Sequence, residues 1–365
     1  MLLLQRAADV LNIFEDESQC LRLNELTERT MMSKTTVHRL CVALVDVGML
    51  QRVEKHGYRL AIRSLKSRRF RIGYGMQNGA DDFSQRVMES IRRCAVAADI
   101  DLLILDNENS SSRALENTEM FINEKVDLVL SSQTDIAIAQ RIADRLEASA
   151  IPSVAMEIPQ PGAVFFGANN VQAGLMAGRH LAQWSQSNWE GALDEIVLLD
   201  LPKAGHIPNA RIQAGLLGII ERLAWVSPTQ IKILHTIGSY ESAHAAVRRY
   251  LSRSRAKRIL MITINDTCSL GALQAFRDYD REDHCAIVTH NLDEGDCSSE
   301  ISQPESRLIG AVAYFPERYG EAVIPLVASM LRGFQVPRVN FITHEVITHE
   351  NIKAYQLRFQ TKRLR

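Results

Sequence analysis

From Phe70 onward the chain alternates short, continuous apolar runs with segments of helical periodicity. Phe70–Met76, Ile100–Leu105, Val126–Leu130 and Ile151–Met156 are strand-like, and Asp81–Ala98, Arg113–Glu124 and Asp135–Ala148 between them are helical. A strand that is apolar on both faces needs cover on both faces. The pattern therefore predicts an α/β chain with doubly wound parallel sheets. After Asn170 the alternation starts again: helix over 171–186, strand at Ile196–Leu201, helix over 207–223, strand at Ile231–Thr236. Helix over 240–254, strand at Ile259–Ile264, helix at Ser269–Tyr279 and strand at Ala286–Thr289 follow. Two α/β halves in tandem imply a cleft between two sheets. Such sheets bind ligands at the carboxyl ends of their strands, and the loops there are rich in polar side chains. They carry Asn78 and Asp81, Asp106 and Asn107, Gln133, Glu157, Asn265 and Asp266, and Asn291 and Asp293. Polar groups gathered on one rim suit a hydroxyl-rich ligand, whose every buried O–H needs a partner.

The first sixty residues follow a different rule. Residues 3–15 read as an amphipathic helix with Leu3, Ala7, Val10, Leu11 and Phe14 inward. A second helix turns Leu23, Leu26 and Met31 inward and Glu25, Glu28 and Arg29 to water. Ser33 is the expected N-cap of a third, because its hydroxyl can accept an orphan backbone N–H. Val37, Leu40, Cys41, Leu44 and Val45 then recur at three- and four-residue steps as one buried stripe. Gly48 is placed to end that helix. Met49–Val53 and Tyr58–Ile62 alternate around His56-Gly57, which predicts a hairpin. A helix pair followed by a hairpin is the winged helix-turn-helix plan, whose second helix lies in the DNA major groove while the hairpin reaches the backbone. Ser33, Lys34, Thr35, Thr36, His38 and Arg39 are then candidates for contact with bases and phosphates, and Arg52, Lys55 and Arg59 with phosphates. A solvated helical hairpin explains Leu40 and Leu44 equally well. It does not explain the Ser-Lys-Thr-Thr-x-His-Arg face beside a wing.

Charge favours the same division. Through Arg71 there are thirteen Lys and Arg against eight Asp and Glu, and the remainder carries 29 against 35. A basic head on an acidic body points to a polyanionic partner for the head. Residues 63–70 form a short basic linker, either a solvated connector or a phosphate contact. The six cysteines are dispersed without a C-x-x-C pair, which fits a reducing compartment and neither a zinc ribbon nor a disulfide framework. MLLL is interrupted at once by Gln5 and Arg6, and no uncharged run reaches the ~18 residues of a membrane span. A cytoplasmic protein is expected, with no membrane partner.

Two resemblances sharpen these expectations. LLQRAADVLNIF followed by LRLNELTERTMMSKTTVHRLCVALVDVGMLQRVEKHGYRL resembles the DNA-binding domain of the IclR-type regulators, with its recognition helix and wing. FRIGYGMQNGADDFSQRVMESIRRCA and DLLILDNENSSSRALENTEMFINEKVDLVLSSQ resemble the first two units of the type 1 periplasmic sugar-binding fold, which is also the sensor of LacI-type repressors. IPSVAMEI, GANNVQAGLMAGRHL, PNARIQAGLLG, ITINDTCSLGALQAF, IVTHNLDEG and IGAVAYFPERYGEAVIPLVASMLRG continue that series to about residue 337. The pairing of these two modules is itself unusual. It implies a DNA-binding domain over 1–62, the linker over 63–70 and a two-lobed effector domain over 71–365. With crossings near Asn170, Tyr314 and Pro337, one lobe would comprise 71–170 and 315–337 and the other 171–314 and 338–365. The ligand positions it implies are Asp82, Phe83, Glu157, Arg211, Asn265, Asp266, Asn291 and Phe315. Asp82 stands where an aromatic is common, Asn291 where many members have Asp, and Phe315 where sugar binders often have Gln.

The expectation is a transcriptional regulator with double-stranded operator DNA, a sugar-like effector, no cofactor and a homodimeric or dimer-of-dimers assembly. A cytoplasmic ligand-binding protein or an enzyme on the same two-lobed fold is the alternative. G-x-S-x-G, H-E-x-x-H and P-loop strings are missing. His344 and His349 fall in the alternating stretch FITHEVITHE, which reads as surface strand positions and not as a metal site.

Overall fold

The computed structural model describes residues 2–15, 19–53, 57–61, 69–133, 135–223, 225–292 and 295–363. Met1–Phe70 and Arg71–Arg365 are separate compact units. Lys55, the His56 tip, Asp293 and most of the basic linker lie outside the described residues.

In the first unit, α1 (Leu2–Leu11), α2 (Leu23–Thr30) and α3 (Lys34–Asp46) precede the antiparallel hairpin β1 (Leu50–Val53) and β2 (Gly57–Leu60). Val10, Phe14, Leu26, Val37, Leu40, Cys41, Leu44, Leu50 and Tyr58 close on one small core. Each large side chain there is worth about 1.5–3 kcal/mol of burial. Leu21 adds a short bridge to the hairpin, exchanging two 2.8 Å backbone hydrogen bonds with Tyr58. Gly57 is obligatory at that bridge: its φ is 111° and a Cβ would stand 2.3 Å from the Leu21 carbonyl oxygen. Met31, expected inward, is instead the left-handed residue that ends α2, and it is 91% exposed.

The second unit opens with β3 (Arg71–Met76), α4 (Asp82–Ala97), β4 (Asp101–Asp106), α5 (Ser111–Asn123), β5 (Leu128–Ser132), α6 (Ile136–Ala148), β6 (Ser153–Met156) and β7 (Val164–Ala168). A second round follows with α7 (Asn170–Trp189), β8 (Glu195–Asp200), α8 (His206–Arg222), β9 (Ile231–His235), α9 (Tyr240–Leu251) and β10 (Ile259–Thr263). It continues through α10 (Asp266–Asp278), β11 (Cys285–Asn291), α11 (Asp296–Ile301) and β12 (Leu308–Ala313). The chain ends with α12 (Tyr319–Leu331), β13 (Val339–Ile342), β14 (Glu345–Ile347) and α13 (Ile352–Arg363).

The strands form two six-stranded sheets, ordered β4-β3-β5-β6-β7-β13 and β9-β8-β10-β11-β12-β14. The first is parallel throughout, and in the second only β14 runs antiparallel. Both orders reverse direction once, between β3 and β5 and between β8 and β10, which are the switch points where such sheets open a crevice. The chain passes between the lobes after β7, after β12 and after β13. All three passages leave from strand carboxyl ends, so both rows of carboxyl ends border the same inter-lobe space. The third passage falls at residues 343–344 and not near Pro337. Residues 339–342 pair in parallel with Phe165–Ala168 and so belong to the first sheet, not the second.

Candidate functional site

In the first unit the Ser33 hydroxyl accepts from the Thr36 N–H at 3.3 Å and lies 2.8 Å from the Thr36 hydroxyl, fixing the start of α3. Lys34, Thr35, His38 and Arg39 are exposed on that helix, with Thr36 partly so. On the hairpin Arg52 and Arg59 are exposed, and the Arg59 guanidinium donates to Gln51 Oε1 at 2.9 and 3.2 Å. The solvated face of α3 is thus basic and hydroxyl-bearing, and its other face is the core.

In the second unit the inter-lobe space is built around Arg211 and Glu157. Arg211 lies one turn into α8, on the second lobe. Its Nε donates to Asn170 Oδ1 at 2.8 Å, an Nη donates to the Ile264 carbonyl at 3.3 Å, and its Cζ lies 4.6 Å over the Tyr314 ring. A close crossing of α7 and α8 sets this position: a Cβ on Gly174 would stand 2.2 Å from the Arg211 carbonyl oxygen. Glu157 follows β6 on the first lobe. It accepts from the Tyr319 hydroxyl at 2.6 Å and from the Ala168 N–H at 3.4 Å. Burial raises its pKa above the usual carboxyl range, opposed by the Tyr319 hydrogen bond and by the Arg211 charge. The T-shaped ring pairs Phe83–Tyr319 and Phe166–Tyr319 wall the Glu157 side.

Several buried polar atoms near the strand ends have no protein partner. They are both amide atoms of Gln133 and Gln160 Oε1 on the first lobe, and Asn291 Oδ1 and both ring nitrogens of His290 on the second. Burial holds His290 well below the ordinary histidine pKa, with Arg211 adding to the effect, so its ring is neutral. Gln133 and Asn291 stood in polar loops of the sequence. Nothing in the sequence separates them from capping residues, because being unpartnered is a tertiary property.

Other expected ligand residues have structural tasks. Asn265 caps α10: its Oδ1 accepts from the Cys268 N–H at 3.0 Å and its Nδ2 donates to the Gly238 carbonyl at 3.0 Å. Asp266, 4% exposed, accepts from the Leu292 N–H at 3.0 and 3.2 Å and pins the exit of β11. Phe315 is 1% exposed in a left-handed conformation, with its ring against Tyr355 and beneath Arg318. It is packed in the core. Asp82 is the first residue of α4, with its side chain 75% exposed and Arg86 at 3.9 Å.

His344 overturns the surface-strand expectation. It sits in the third passage, accepts at Nε2 from the Asn169 N–H in the first (3.0 Å) and lies 3.2 Å by Nδ1 from the Ala313 carbonyl at the second. One side chain ties all three inter-lobe passages, and its ring packs 4.6 Å from that of Tyr314. Among the described residues no cluster of His, Cys, Asp and Glu is arranged to hold a metal ion. Among them, too, no helix is long and apolar enough to cross a membrane.

Fold and site together define a two-lobed α/β ligand-binding domain in a chain that begins with a winged helix. Residues 72–334 match the family model described as "Periplasmic binding protein domain", and residues 3–54 match the "IclR helix-turn-helix domain". The first match spans most of the sequence, and the chain belongs to the periplasmic binding protein domain family. Among solved structures, a solute-binding protein of an ABC transporter from Bacillus halodurans C-125, with bound myo-inositol, aligns with TM-score 0.68 and 17% identity. That alignment covers 80% of this chain and 99% of the other. A periplasmic ribose ABC transporter protein from Conexibacter woesei DSM 14684 aligns with TM-score 0.68 and 15% identity over 79% and 94%. An Actinobacillus succinogenes 130z solute-binding protein with bound D-allose gives 0.65 and 17% over 79% and 100%. At these identities the likeness establishes the fold. A comparison with curated proteins gives no match.

Proposed function

We propose that this chain is a cytoplasmic, DNA-binding transcriptional regulator whose operator affinity is set by a small polyhydroxylated effector held between the lobes of Arg71–Arg365. The observation that carries the sensor half is the set of buried, unpartnered polar atoms on Gln133, Gln160, His290 and Asn291. An unmet buried donor or acceptor costs roughly 1–3 kcal/mol, and a ligand with many hydroxyls meets several at once. The Arg211 charge acts on both His290 and Glu157, and Phe83 packs edge-on against Tyr319, the partner of Glu157. Solute-binding proteins of the same fold hold myo-inositol and D-allose, which supports a carbohydrate or polyol. The IclR helix-turn-helix match and the exposed Lys34, Thr35, His38 and Arg39 support DNA as the partner of residues 1–62.

A ligand touching both lobes binds their closed arrangement better, and that difference in affinity is what shifts the equilibrium between lobe positions. The chain then works as a binding protein and not as a catalyst. Residues 63–70 join the DNA-binding and effector domains, and a homodimer or dimer of dimers presents paired heads to a palindrome. Calorimetry of the full chain against sugars, sugar acids and polyols tests the sensor half. Saturable heat with at least one compound is expected, and a panel without any binding overturns the reading.

A further inference from the structure

Resting on the assembly in that reading, we infer that a second copy of this chain docks on the amino end of the second sheet. A basic half and an acidic half lie side by side there and complement each other across a two-fold axis. The chain enters the adjacent parallel strands β10, β11 and β12 at this end, and the inter-lobe space borders their other end. The eleven residues 248–258, which close α9 and lead into β10, hold six Arg and Lys and no Asp or Glu, on a body that is otherwise acidic. Arg248 pairs with Asp278 and Arg258 with Asp194, each at 3.5 Å. Arg249, Arg253, Arg255 and Lys257 are exposed and, among the described residues, none has a carboxylate at ion-pairing distance. Arg249 and Arg253 also line a concavity of about 680 Å³ with Tyr250, Ile231 and Ile233, and Ile233 is 49% exposed. Glu195, which lines it too, is met by Lys232, Tyr250 and Ser254.

The neighbouring loops carry the opposite sign. Residues 278–283, at the end of α10 and before β11, hold four acids and one arginine. The Arg281 guanidinium is turned to the backbone carbonyls of Leu251, Ser254 and Ala256. With the loop before β12 these residues form a concavity of about 580 Å³ lined by Asp280, Glu282, Asp283, Glu305, Arg277 and Arg307. Both lining arginines are already neutralised, Arg277 by Glu282 (2.8 Å) and Glu300 (2.6 Å), and Arg307 by Asp283 (2.7 Å). Asp280 and Glu305 are exposed and, among the described residues, have no cation at ion-pairing distance.

Uncommitted cations and uncommitted acids thus share one end of the lobe without reaching each other. Neighbouring strands stand ~4.8 Å apart, so the acidic half begins within a Debye length of the basic one, ~10 Å at 0.1 M salt. A nucleic acid laid over the arginines would meet Asp280, Asp283 and Glu305 at that range, and so would a uniformly acidic protein. A second copy related by a two-fold axis between the halves meets no such conflict, because each half then faces its opposite. Attraction between exposed charges is modest pair by pair and is screened by salt. The contact is therefore salt-sensitive, and its charge pattern selects the partner.

The test is sedimentation of the full chain at micromolar concentration over a range of salt, with two charge-reversed variants. One carries Arg253→Glu, Arg255→Glu and Lys257→Glu, and the other Asp280→Lys and Glu305→Lys. All five positions are exposed, so neither variant removes a core contact. The wild type should show an association step, to dimer or from dimer to tetramer, that weakens ~10-fold or more between roughly 50 and 500 mM salt. Each variant alone should lose that step. An equimolar mixture should recover it, since the acidic surface of one variant then faces the basic surface of the other. Association unchanged in both variants, or a mixture that does not recover it, overturns the inference and leaves the regulator reading standing. A wild type without the step, whose duplex binding loses salt dependence when the three basic residues are reversed, overturns it in favour of nucleic acid on the basic half. A chain that stays monomeric at every salt concentration overturns it together with the paired heads.

Discussion

Acidification should loosen the hinge of Arg71–Arg365, and His344 sets the size of the effect. The Asn169 N–H can only donate and the Ala313 carbonyl can only accept, so the ring fits when it is neutral with its proton on Nδ1. Burial, reinforced by the Arg211 charge and opposed by the bond to Ala313, lowers its pKa from 6.5 to about 4. Above pH 6.5 the ring is neutral in the folded and the unfolded chain, and stability is complete. Below that value the unfolded chain takes up a proton that the folded ring refuses, and stability falls until the folded ring also protonates near pH 4. At 1.36 kcal/mol per pH unit of difference, the loss is on the order of 3 kcal/mol. Neutral His290 adds a loss of the same sign.

All three tryptophans (Trp184, Trp189 and Trp225) lie in the second unit, so their fluorescence in urea reports on it alone. Wild type should lose stability steeply between pH 6.5 and 4. His344→Gln, which keeps a donor and an acceptor without a titrating ring, should lose ~3 kcal/mol less over the same range. Identical pH dependence in the two proteins would refute the hinge argument.

Three further outcomes follow from the geometry. Arg39→Ala should weaken operator binding by roughly 1–3 kcal/mol in a mobility-shift titration, whereas Arg52→Ala should chiefly flatten the salt dependence. Gly174→Val should displace Arg211 through the helix crossing, so calorimetry should show effector affinity reduced more than tenfold, as expected when one good polar contact is lost. The full chain should sediment as a homodimer or a dimer of dimers at micromolar concentration, and a monomer in analytical ultracentrifugation would count against paired heads on a palindrome.

Much of the architecture was legible in the sequence because its strands are buried on both faces. Ile259–Thr263 is buried at every position, and a continuous apolar run of that length between helices admits few other readings. Ser33 was legible for a local reason, since a cap needs only its own helix. Val339–Ile342 was not: it is an edge strand with two of its four residues exposed, and its parallel partner Phe165–Ala168 is distant in sequence. The site shows the same limit. Glu157 and Arg211 were visible as residue types at strand and helix ends, but Asp266 and Phe315 looked equally suitable. Only the folded chain shows that one holds the Leu292 N–H and the other packs on Tyr355. His344 sits in an alternating stretch, and alternation says nothing of a chain that passes between lobes there.

The central claim is that ligand between the lobes changes the affinity of the chain for DNA. Fluorescence anisotropy measures it directly, using a duplex enriched by the full-length protein from random sequence and titrated with and without saturating amounts of the best calorimetric ligand. The account predicts a Kd change of at least severalfold that Arg211→Ala removes while DNA binding without ligand stays close to wild type. Equal affinity for the duplex at zero and saturating ligand, with calorimetry confirming that the site is filled, would contradict it.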